Sequence, residues 1–103
     1  MAKIRAYVYK DSGFIDSYKV YPPVVVLTKN DQFELVNTTD DEAVLQIPEG
    51  AFEGGGVDEK IRKHSKSNAK TPRNVPPLAV EYQVTVKGKK ATAHSDPVII
   101  IDP

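Results

Sequence analysis

Leu78-Ala-Val-Glu-Tyr-Gln-Val-Thr-Val-Lys-Gly-Lys-Lys-Ala-Thr-Ala-His-Ser-Asp-Pro-Val-Ile-Ile-Ile-Asp-Pro103 holds a strand, a lysine-rich turn and an apolar closing strand. Tyr82, Val84 and Val86 alternate with Gln83 and Thr85, the period of two that turns one side of a strand into a core. Lys87-Gly-Lys-Lys supplies the turn of a hairpin, because glycine takes positive φ at little cost. Asp96-Pro97 launches the last strand: Asp bonds nearby backbone N–H groups and Pro presets φ. A chain that closes this way is expected to be built of strands.

The rest of the chain repeats the pattern. Ile4, Ala6 and Val8 alternate with Arg5, Tyr7 and Tyr9, and a second strand runs to about Tyr21, where Pro22-Pro23 breaks it. Val24 to Thr28 is a continuous apolar run, the mark of a strand buried on both faces or at a sandwich corner. Phe33 and Leu35 alternate with Glu34 and Val36, and Ala43 to Ile47 forms a short strand stopped by Pro48. Asp58-Glu59 ahead of Arg62-Lys63 places acids and bases where helix ends prefer them, so one short helical turn is expected near 58–64. About seven strands with turns every 8–12 residues predict an all-β Greek-key β-sandwich, one domain over 1–103.

Composition narrows the chemistry. A chain of 103 residues can bury one core without a disulfide. The absence of cysteine excludes disulfides, zinc–thiolate sites and thiol nucleophiles. The first residues run straight into a strand with no apolar stretch of signal-peptide length, and no apolar run could span a bilayer. A cytoplasmic protein with no membrane association is the expectation, which a trimmed leader would change.

The net charge of zero hides a segregation. Residues 31–59 carry nine acids and no base, and residues 60–73 carry six bases and no acid. The two blocks can screen each other, or the basic one can serve a partner.

Pro23-Val-Val-Val-Leu-Thr-Lys-Asn-Asp-Gln-Phe-Glu-Leu-Val-Asn37 resembles the cupredoxin-like domains, which have a strand, a turn and a strand ending in Asn there. Glu81-Tyr-Gln-Val-Thr-Val86 is similar to the Tyr-containing strand that leads to that family's metal loop. Ser95–Pro103 looks like the close of small copper-free bacterial relatives. The resemblance implies a cupredoxin-like sandwich. A blue-copper site needs a thiolate and two imidazoles. By the resemblance the thiolate would fall near Val84 and the first His just after Asn37, where this chain has Thr-Thr-Asp-Asp-Glu-Ala. Neither ligand is present, so no copper, other metal or cofactor is expected.

Other constellations are sparse. His94 with Asp96 offers two ligands where a metal needs three or four, and a turn explains Asp96 as well. No serine sits in a nucleophile elbow, and Asp40, Asp41 and Glu42 lie adjacent in a loop without the separation that two-carboxylate catalysis demands. No catalytic residue is expected, and a metal-dependent enzyme is the most distant reading. Lys60, Arg62, Lys63, Lys66, Lys70 and Arg73 form the leading partner or anion site. They suit an acidic protein or a second copy, and alternatively phosphates of a nucleic acid, although no aromatic is interleaved among them to stack a base. Tyr7, Tyr9 and Tyr21 turn away from the Ile4/Ala6/Val8 side. Their rings make either an exposed aromatic patch or a layer covered by the loop that carries Phe52. The expected function is a non-catalytic binding or protein-interaction module.

Overall fold

Eleven strands and no helix build the described residues, which in this computed structural model are 2–13, 16–28, 30–74, 76–92 and 96–102. The strands are β1 (Lys3–Ser12), β2 (Asp16–Tyr21), β3 (Val24–Thr28), β4 (Gln32–Asn37), β5 (Ala43–Ile47), β6 (Val57–Ile61), β7 (Ser65–Lys66), β8 (Leu78–Glu81), β9 (Gln83–Val86), β10 (Lys89–Ala91) and β11 (Val98–Asp102). They form three hydrogen-bonded groups, ordered β2-β1-β4-β7, β10-β9-β5-β6 and β3-β11-β8, in a sandwich-like all-β arrangement. β1 runs parallel to β4 and β3 parallel to β11, while the other neighbours are antiparallel. No helix of the described residues is long and apolar enough to cross a membrane.

The closing stretch shows why there are more strands than its punctuation suggests. Tyr82 interrupts it, so β8 pairs with β11 while β9 pairs with β5 and β10. One run of sequence thus serves two sheets. Its ring is fully buried at the crossing and meets Phe33 edge to face, with centroids 5.6 Å apart. Lys87 and Gly88 both take positive φ in a two-residue connection between β9 and β10. That conformation twists as the flanking strands do, and glycine makes the second position inexpensive.

Period two fills the core. Ala6 and Val8 of β1, Phe33 and Leu35 of β4, Leu45 and Ile47 of β5, and Val84 and Val86 of β9 all point into one hydrophobic cluster. Phe52 also enters it, 6.3 Å from Phe33. Its loop therefore packs inward and does not cover the tyrosines of β1.

Two expectations are corrected. The 58–64 segment is not helical: Val57–Ile61 is β6, paired residue for residue with β5. Ile61 is drawn into the core and the backbone groups find partners along β5, whereas one helical turn would leave most of its own unpaired. The apolar run Val24–Thr28 is buried on one face only. Val25 and Leu27 face the core, while Val24 and Val26 are open to solvent because β3 lies at the edge of its sheet.

Candidate functional site

Strand pairing turns alternation into an ordered outer surface on the β2-β1-β4-β7 sheet. Because Ala6 and Val8 point inward, Lys3, Arg5, Tyr7 and Tyr9 point outward. Tyr7 lies opposite Tyr21 on β2 and opposite Val36 on β4, which in turn lies opposite Lys66 on β7. One row across the sheet thus reads Tyr21, Tyr7, Val36, Lys66, and the next along β1 pairs Tyr9 with Lys19. Tyr7 and Tyr9 are each 40% exposed and Tyr21 is 64% exposed. The tyrosines form an open aromatic patch.

Beside them lies a charge cluster that spans three strands. Glu34 sits opposite Arg5 in the parallel β1–β4 register. Its carboxylate accepts the Arg5 Nε–H at 3.0 Å and lies 3.6 Å from Lys66 Nζ and 3.9 Å from Lys3 Nζ. The three cationic side chains are about half exposed, yet they seal Glu34 to 2% exposure. Burial pulls its pKa upward, but the Arg5 hydrogen bond and the charges of Lys66 and Lys3 outweigh burial and hold it below its ordinary value. One carboxylate against three cations leaves this part of the sheet with a surplus of positive charge.

The six basic residues of 60–73 do not form one stripe. Lys60 points outward from the other sheet, since its neighbour Ile61 is in the core. Arg62 and Lys63 lie on the exposed connection to β7. Lys66 joins the Glu34 cluster, Lys70 is bound to Glu59, and Arg73 lines a cleft. From Ser65 the chain is stitched along β4: Ser67 N–H donates to the Leu35 carbonyl, and Lys70 exchanges both backbone bonds with Phe33. The acidic and basic blocks partly neutralise each other through Lys66–Glu34 and Lys70–Glu59, and His64 Nε2 lies 2.7 Å from an Asp40 carboxylate oxygen. Lys60, Arg62, Lys63 and Arg73 make no ion pair among the described residues.

Other sites resolve into structural roles. Asn37 is fully buried where β4 ends. Its amide N–H groups donate to the carbonyls of Asp41, Ile61 and Arg62, and its Oδ1 accepts from the N–H and hydroxyl of Thr39. It locks the acidic loop to the end of β6. Val84 is a fully buried core residue. Asp96 pairs with Lys90 at 3.1 Å, while His94 lies outside the described residues. Among the described residues no group of three His, Asp or Glu side chains could hold a metal.

An open cleft of about 700 Å³ is lined by Asp31, Glu53, Thr71 and Arg73, among others. The Asp31 carboxylate in it accepts the backbone N–H of Thr28 and then its hydroxyl, which lower its pKa. That carboxylate is committed to the turn.

The sequence signals the tyrosines and Lys66 separately. Their meeting, and the part played by Lys3, Arg5 and Glu34, depends on β1 lying parallel to β4, and no local pattern encodes that register. The one available signal is that Phe33 and Leu35 facing inward oblige Glu34 to face outward. No protein-family model matches this chain, and no curated protein matches it.

Proposed function

We propose that the chain is a non-catalytic binding module on a copper-free cupredoxin-like scaffold, working in the cytoplasm without a cofactor through the outer face of the β2-β1-β4-β7 sheet. The observation that carries this reading is the exposure of Tyr7, Tyr9 and Tyr21 side by side on a paired sheet. Large rings left in water contribute little to folding, whereas Tyr and Arg are the side chains that concentrate binding energy at interfaces. The partner is a macromolecule that covers a flat surface, because the three tyrosines lie side by side across paired strands.

Cross-linking through lysine amines, applied to the protein purified with its native partner, tests the surface. Links through Lys3, Lys19 and Lys66 support it. Links confined to Lys60 and Lys63 would instead favour the second reading, anion or partner capture by 60–73. That reading is supported by the unpaired, exposed cations Lys60, Arg62 and Lys63.

A further inference from the structure

We infer that the ligand of this sheet face is a single-stranded nucleic acid, with its bases stacked on the tyrosines and its phosphates held by the cations around Glu34. The inference rests on the face being the working surface and names what it takes. The outer side carries Lys3, Arg5, Lys19 and Lys66 against Glu34 and Asp11, so four cations minus two acids leave a surplus of two positive charges. Glu34 is sealed beneath three of those cations and presents no free carboxylate to an approaching anion. The basic segment alone lacks an aromatic. The fold supplies three, and places Lys66 in the same row as Tyr7 and Tyr21.

Successive outward positions on one strand are about 7 Å apart and neighbouring strands about 5 Å, so the three rings offer adjacent but separate platforms. Flat, exposed π faces beside cations are the combination that binds single strands with little regard for sequence. Other occupants fit less well. An acidic peptide would engage the cations but offers the three rings a stacking partner only where it also carries aromatic or proline residues, and extended peptides commonly attach to sheet edges, where main-chain bonds remain free. A second copy could bring the exposed acids Glu42, Glu49, Glu53 and Asp58, but these carboxylates would engage only the cations and leave the three rings without a stacking partner. A duplex buries its base faces and would leave the rings unused.

The test is fluorescence anisotropy of a labelled twelve-nucleotide oligothymidylate titrated with the full chain, with the matching duplex and polyglutamate as further arms. We expect a Kd of roughly 1–100 µM at physiological salt, the range of sequence-blind binding. Three engaged cations give a slope of log K against log salt near about −2, or roughly 20-fold weaker binding at 200 mM than at 50 mM. Tyr7→Leu and Tyr21→Leu keep apolar bulk on the strand but remove the ring, and each is expected to weaken binding about tenfold. Glu34→Gln exposes the surplus charge and tightens binding several-fold. Circular dichroism of each variant separates lost binding from lost folding.

Absence of binding at 50 mM salt overturns the inference, as does binding that ignores the tyrosine variants and disappears in Arg62→Ala/Lys63→Ala. Equal affinity for the duplex also overturns it. Tyrosine-dependent binding of polyglutamate in place of the oligonucleotide overturns the ligand class and leaves the face intact as a binding surface.

Discussion

The two faces of the β2-β1-β4-β7 sheet are made by the same strands and differ in what burial demands of them. Inward, Ala6, Val8, Val20, Phe33 and Leu35 are all but sealed from water, and Asn37 at the end of the row makes hydrogen bonds with both ends of its amide. Outward, Tyr21 is largely open to water, Tyr7 and Tyr9 are partly so, and a carboxylate lies beneath three cationic side chains. The inner face accounts for the fold. The outer face holds side chains that the fold does not require, and there a functional explanation is needed.

The comparison breaks most visibly at Phe33, which touches both Phe52 and Tyr82. Phe33→Ala is expected to cost about 3–5 kcal/mol, the usual penalty for emptying a buried aromatic site. For a domain of this size that is a large share of total stability, so urea midpoints should fall steeply. A loss under about 1 kcal/mol would mean that the inner face is loosely packed.

Asn37→Ala should come next. It leaves the carbonyls of Asp41, Ile61 and Arg62 without this donor in a partly buried corner, a loss on the order of 2 kcal/mol. Hydrogen exchange should rise first at Thr39, whose N–H bonds Asn37 Oδ1. A uniform rise across all strands would show that Asn37 supports the whole sheet and not the loop.

These two residues also mark how far sequence alone reaches. β1, β4 and β5 are legible because alternation over five or more residues leaves one reading, whereas Leu78–Val86 reads as one strand and is split at Tyr82 into β8 and β9. The 58–64 segment reads as a helical turn because its charges, arranged like helix caps, are visible locally, while β5, the partner that makes Val57–Ile61 a strand, is not. The outward direction of Tyr7 and Tyr9 was legible, but their exposure was not, since any loop could have covered them. The Glu34 cluster was illegible for a different reason. It joins Lys3, Arg5, Glu34 and Lys66 through a parallel pairing, and such contacts are set by the whole topology.

On the outer face, Glu34 ties a smaller stability term to pH. Its folded pKa is lowered, so the unfolded chain takes up a proton first as pH falls. The stability it contributes is present above its ordinary value of 4.5 and lost as pH drops through the lowered folded value. Glu34→Gln should cost about 1–2 kcal/mol at neutral pH, modest because its cationic partners are half in water. It should also flatten the decline in melting temperature below that pH. An unchanged acid profile would show that the cluster contributes charge to the surface without stabilising the fold.

Tyr82 inverts the relation between ring and water seen at Tyr7 and Tyr21. Its hydroxyl is buried and has no hydrogen-bond partner among the described residues, and burial pushes its pKa above the ordinary value. A buried unpaired hydroxyl costs free energy that a hydrogen of the same shape does not, so Tyr82→Phe should stabilise the chain by about 1 kcal/mol. The raised folded pKa means that the wild-type contribution is intact below pH 10 and lost as the unfolded chain ionises above it. The variant should therefore resist alkaline unfolding better than wild type, as melting curves between pH 8 and 11 would show. Destabilisation by Tyr82→Phe would mean that the hydroxyl is satisfied in solution, by a water held between the sheets. Tyr82 would then belong with Asn37 among the hydrogen-bonded polar groups of the core.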